Sequence, residues 1–122
     1  MFRAPLTITG RLRPLAIAGL ALALAAPAAL AEAPPSPQRQ QQLLHMVRQD
    51  CGACHGLHLT GGLGPAITAP VLAERGGFDL VYAVIRYGRP GTPMPPWRSL
   101  LTEAETRWMT QQLLAGLPGA RP

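Results

Sequence analysis

Cys51-Gly52-Ala53-Cys54-His55 sets the terms for the whole chain, because each of its parts answers a separate chemical demand. Two thiols with two residues between them lie about one helical turn apart. At that separation they can add to the two vinyl groups of a haem and form thioethers. The next residue, His55, is then held beneath the ring, where its imidazole can bind iron. Gly52 and Ala53 are small and let the backbone come close to a porphyrin. Other uses of two cysteines fit less well. A zinc site needs two further ligands; there is no second cysteine pair, and His45 and His58 stand at no usual zinc spacing. A thioredoxin-like dithiol needs a βαβ setting, and the chain gives no strand signal. A disulfide suits an exported chain, but it leaves the adjacent histidine without a reason.

Towards the N-terminus, good helix formers fill Gln38 to Asp50, with Ser36 placed to cap them and Pro37 at the first helical position. Leu43 and Val47 can share one face with the cysteines at i, i+4 spacing, so this helix is expected to run straight into the haem-binding turn. The short Pro-rich stretch 32–37 reads as a linker. Ahead of it, Arg3, Arg11 and Arg13 precede an apolar run from Leu15 to Leu30 that closes on Ala29-Leu30-Ala31. This is the pattern of a cleaved export signal over residues 1–31. The alternative is a retained anchor, for which the run falls short of the roughly 20 apolar residues a spanning helix needs. Cleavage leaves roughly 90 residues, a length at which a small fold gains from a staple such as a covalent cofactor.

Towards the C-terminus, Gly56 to Pro70 is Gly-rich and reads as an irregular loop. A short helix is expected over Val71 to Arg75. A longer one is expected from about Asp79 to Tyr87, with Leu80, Val81, Val84 and Ile85 as its buried stripe and Gly88 as its stop. Arg89 to Pro96 holds four prolines, which neither a helix nor a central strand tolerates. Thr102 and Glu105 form a capping box for a last helix from Glu103 to about Ala115, ended by Gly116. Its apolar face should carry Ala104, Trp108, Met109 and Leu113. The fold class is therefore all-α, with one domain over residues 38–118. The first and last helices cross, and Trp108 is the candidate contact.

Iron bound by His55 has a second axial position. Met94 is the candidate, because the prolines of Thr92-Pro93-Met94-Pro95-Pro96 limit backbone freedom and hold a weakly binding thioether in place beforehand. Met46 and Met109 fall within helices and read as core filler. His58 and His45 are the rival ligands, or else surface histidines. The carbonyl of Pro65 is placed to accept the His55 Nδ1 proton and orient the ring. Arg86, Arg89 and the Trp97 indole are candidates to reach the haem propionates; the plainer reading is solvated arginines and a core tryptophan. With both axial positions filled by protein, outer-sphere electron transfer is expected and substrate chemistry at iron is not.

The formal net charge of +5 overstates the basicity of the folded part, because three of the eleven basic residues precede residue 31. All eleven are arginine. No dense basic stripe is present, which argues against a nucleic-acid partner, and no strong field is available to steer docking.

With these motifs placed, the chain resembles class I cytochromes c from the Cys-x-x-Cys-His turn to its C-terminus. Within them it is similar to cytochrome c55X, the small cytochromes associated with cytochrome cd1 nitrite reductase. The matching residues are Cys51 to Gly56, Thr60-Gly61-Gly62-Leu63-Gly64-Pro65-Ala66, Gly88 to Trp97, and the helix after Thr102. The protein is expected to be a monomer. The resemblance implies a periplasmic protein with one covalent haem c and axial ligands His55 and Met94. It also implies a role in denitrification, as an electron donor to nitrite reductase or a helper in making its d-type haem. Two other roles stay open: a donor to another periplasmic reductase, and an enzyme or gas sensor with open iron.

Overall fold

The structure is a computed structural model that describes Gly10 and residues 32–118; the export segment read over residues 1–31 otherwise lies outside the described residues. Every regular element among the described residues is helical. They are α1 (Pro37–Met46), a π-helical turn (Val47–Cys51), α2 (Gly52–His55), α3 (Ala69–Glu74), α4 (Gly77–Tyr87) and α5 (Glu103–Ala115). The all-α expectation holds.

Local chemistry accounts for most of the boundaries. The Ser36 hydroxyl accepts from the Arg39 amide at 3.3 Å, and Pro37 opens α1, so the linker ends one residue earlier than expected. Thr102 and Glu105 form the reciprocal capping box of α5, and Gly88 and Gly116 cap α4 and α5 at their C-termini. Two helices begin two residues before their expected starts. In α3, Pro70 occupies the first turn, where its missing N–H costs nothing. In α4, the helix starts at Gly77, behind the Gly76 cap.

The core gathers Leu43, Val47, Leu59, Leu72, Val81, Ile85, Leu101, Met109, Leu113 and Leu117. Burying a side chain of this size contributes about 1.5–3 kcal/mol. In α4 the buried line is Val81 and Ile85, while Val84 is half-buried and Leu80 is 45% exposed. Leu80 therefore does not belong to the buried stripe; it leans over the bare backbone of Gly76. On the outer side of α4, Phe78 stacks on Tyr82 at 6.1 Å, and the Arg107 guanidinium of α5 sits 5.1 Å over the Tyr82 ring.

Helix α1 packs against α5, and Arg39 of the first pairs with Glu105 of the second. The fully buried residues of α5 include Thr106 and Thr110, with Met109 and Leu113 beside them, while Trp108 is half-buried at the margin of the core. The threonines bury at little cost because each hydroxyl donates to the carbonyl one turn back, Thr106 to Thr102 and Thr110 to Thr106, both at 2.8 Å. The expected face of Ala104, Trp108, Met109 and Leu113 does not include them.

Candidate haem site

Between α1 and the cysteine motif the helix widens for one turn: the Gly52 amide reaches back five residues to the Val47 carbonyl. In an unbroken α-helix, Cys54 would lie about three whole turns beyond Leu43 and on the same face. The extra residue in the π turn rotates the motif off that stripe. Cys51 stays half-buried against the core, and Cys54 is exposed. The expectation that both cysteines continue the Leu43–Val47 face is corrected for Cys54.

Cys51 and Cys54 are not joined to each other in a disulfide. Burial, aided by the negative charge of Asp50, pushes the Cys51 thiol up to about 11. The direction is opposite to that of the lowered thiol of a dithiol oxidoreductase. No group of three or more His, Cys, Asp or Glu side chains among the described residues forms a metal cage.

His55 Nδ1 lies 2.7 Å from the Pro65 carbonyl oxygen. A carbonyl only accepts, so Nδ1 carries the proton and Nε2 keeps a free lone pair, the tautomer a metal requires. The intervening loop is folded back over the motif to make this contact. Gly61 N–H donates to His55 O and Gly64 N–H to Cys54 O, each at 2.8 Å, and Gly62 N–H donates to Gly64 O at 2.9 Å. Gly64 passes so near the imidazole that a Cβ there would sit 2.9 Å from Cε1 and Nδ1.

Met94 is half-buried in a loop tied at both ends to α4. Gly88 N–H donates to Val84 O and Trp97 N–H to Ile85 O, both at 2.9 Å. Across the loop, Arg89 N–H reaches Met94 O at 3.1 Å, and the Thr92 hydroxyl donates to Arg89 O at 2.7 Å. Of the residues considered for propionates, Arg86 is already engaged, with Leu101 O at 3.1 Å and Glu103 at 3.6 Å. Arg89 is exposed. The Trp97 Nε1–H is buried and has no hydrogen-bond partner among the described residues.

His45 is exposed on α1. His58 is exposed at the rim of a cavity of about 290 Å³ lined chiefly by Leu59, Ile67, Leu113 and Leu117; neither His55 nor Met94 lines it. One feature was invisible in the sequence: Leu59 is buried with φ +59°, a left-handed conformation that a leucine seldom adopts. Its amide donates to Gly56 O and its carbonyl accepts from Ile67, both bonds closing the loop behind His55.

Two thiols at one turn, an imidazole with its Nε2 free, and a buried indole donor in need of an acceptor together fit a haem. A family model described as cytochrome c oxidase, cbb3-type, subunit III, a c-type cytochrome domain, matches residues 38–111. The chain is 50% identical to cytochrome c55X of Pseudomonas aeruginosa over 80% of its length and 82% of the relative's. It is 56% identical to cytochrome c55X of Paracoccus denitrificans over 80% of its length and 95% of the relative's. Among solved structures, the c-type cytochrome NirC aligns with a TM-score of 0.65 and 45% identity, covering 72% of this chain and all of that one. The dihydro-heme d1 dehydrogenase NirN in complex with DHE aligns with a TM-score of 0.56 and 32% identity, covering 64% of this chain and 16% of NirN. The chain belongs to the cytochrome c55X family of c-type cytochromes and carries one covalently bound haem c.

Proposed function

We propose that this cytochrome carries single electrons in the periplasm, as a monomer, to a cytochrome cd1 nitrite reductase. Cys51 and Cys54 would tether the haem, His55 and Met94 would hold its iron, Pro65 would orient His55, and Trp97 would contact the cofactor. The haem supplies a reversible one-electron couple, and histidine–methionine ligation raises its potential. The protein's own residues hold the two ligands still, so that little reorganisation accompanies a change of charge. The observation that carries the reading is the pair of clamped ligand loops: His55 fixed on Pro65 O, and the Met94 loop fixed on Val84 and Ile85 of α4. With both ligands supplied by the protein, the iron would keep no position for substrate, which favours outer-sphere transfer. The sequence pattern of residues 1–31, a basic start followed by an apolar run that closes on Ala29-Leu30-Ala31, supports the location. No helix among the described residues is long and apolar enough to cross a membrane.

The partner is supported by the kinship with cytochrome c55X and NirC. It is tested by stopped-flow oxidation of the ferrous protein by cytochrome cd1 nitrite reductase with nitrite present. Fast, saturable oxidation is expected. Slow or non-saturable oxidation by a correctly ligated protein would remove nitrite reductase as the partner.

A second reading is an assembly role in d-type haem maturation, favoured by the likeness to part of NirN in complex with DHE. It gains if the protein exchanges electrons with NirN faster than with nitrite reductase.

A further inference from the structure

We propose that Thr92 is a positioning residue for the axial thioether: its hydroxyl bridges the two sides of the Met94 loop and slows release of the sulfur from iron. This deepens the electron-carrier reading and rests on its assignment of Met94 as a ligand. The first argument is a shortage of backbone donors. Four of the residues from Pro90 to Pro96 are proline, which leaves only the amides of Gly91, Thr92 and Met94. Pro90 and Gly91 make a tight turn at the start of the loop. Gly91 has φ +76°, and the Thr92 amide closes the turn on Arg89 O at 3.1 Å. Beyond that turn, little backbone is left to hold Met94.

The second argument is where the Thr92 hydroxyl lies. It donates to Arg89 O at 2.7 Å and accepts from the Met94 amide at 3.4 Å. One hydroxyl can do both at once, and a carbonyl oxygen can receive two donors. The Met94 carbonyl accepts in turn from the Arg89 amide at 3.1 Å. Arg89 and Met94 are therefore tied twice, once through Met94 O and once by way of the Thr92 side chain.

The third argument is what the bridge opposes. A thioether is a weak, neutral ligand, so its hold on iron depends on how readily the backbone behind it swings away. With the bridge intact, Met94 cannot move without breaking the bonds at Thr92 or carrying the turn with it. Thr92 is exposed and water competes for both bonds, which limits the effect to a several-fold change in release and leaves ligation itself in place.

The test uses the ferric holoprotein. Imidazole can take the iron only after Met94 has left it, so the rate constant at saturating imidazole reads the opening of the loop. In Thr92→Val, which keeps the shape and removes both bonds, that constant is expected to rise several-fold. The sulfur-to-iron charge-transfer band should persist when imidazole is absent. Thr92→Ser, which keeps the hydroxyl, should stay close to the unmodified protein; a role in packing alone would give the reverse order. An unchanged constant in Thr92→Val, or an equal rise in both variants, would overturn the proposal. Should Thr92→Val fail to mature, amide exchange in the unmodified holoprotein decides. The Met94 amide is expected to exchange more slowly, after correction for intrinsic rates, than the Gly91 amide, which has no partner among the described residues. Equal exchange would overturn the bridge. Failure of Met94 ligation is seen separately: the unmodified protein would then lack the charge-transfer band and bind imidazole with no limiting rate, and the proposal would fall with it.

Discussion

Gly88 shows how much one position can carry. It ends α4 at φ +70°, and a Cβ there would fall 2.8 Å from both Met94 O and Pro96 N. Gly88→Ala therefore strains the backbone and pushes the Met94 loop outward. We expect a loss of about 1–3 kcal/mol of stability in denaturant unfolding, together with weakening of the ferric sulfur-to-iron charge-transfer band. Met94→Ala should abolish that band and make the ferrous protein bind carbon monoxide rapidly at neutral pH. A band that survives in Met94→Ala would remove Met94 as the ligand. At this scale the sequence was informative wherever chemistry restricts residue type. The cysteine pair, the histidine after it and a methionine among prolines could be picked out by what they can bind. The Pro65–His55 contact could be anticipated too, since a glycine before the proline lets the chain approach the ring. Leu59 could not: nothing in a leucine's identity announces a left-handed backbone, which arises only when the loop closes behind His55.

Helix α5 illustrates the element scale, because its start is written into four residues. Thr102→Ala should cost about 1 kcal/mol of stability by breaking the capping box. Glu105 adds a pH dependence. The Arg39 guanidinium hydrogen-bonds to its carboxylate and, with the Thr102 amide and hydroxyl, holds it below the usual carboxylate range despite partial burial. A lowered folded-state value means that the contribution is fully present above the unfolded carboxylate's value. It is lost as pH falls through the folded one. In unfolding curves measured across the acid range, Glu105→Gln should flatten that limb and leave a smaller stability at neutral pH. Unchanged curves would show the Arg39–Glu105 pair to be inert. Caps made the boundaries of α1 and α5 legible, but not the π turn between α1 and the cysteines. Arg48, Gln49 and Asp50 are compatible with an ordinary helix, and the wide turn appears only in the hydrogen bond from Gly52 to Val47. Helical periodicity therefore holds for Leu43 and Val47 and is broken at Cys54 by the extra residue of the π turn.

Across the whole molecule, charge is distributed unevenly along the chain. Between Asp50 and Glu74 there is no Asp, Glu, Lys or Arg, and this stretch contains the entire haem-attachment motif and the loop folded back over it. Two of its leucines stand in solvent, Leu57 at 80% and Leu63 at 92% exposure. Leucines exposed next to the attachment motif, in a stretch without charge, suit a contact that forms by burying apolar surface. Electrostatic steering would instead need a charged rim, and association driven by it slows steeply as salt screens the field. The rate constant for electron transfer to the partner should therefore change little when ionic strength is raised, as followed by stopped-flow absorbance. Leu63→Glu should slow the same reaction several-fold, because it sets a charge where the partner must shed water, while leaving the visible spectrum unaltered. A steep fall of the unmodified protein's rate with salt would place the contact elsewhere. The exposed Arg89 and Arg98, on either side of the Met94 loop, would then be the groups to neutralise.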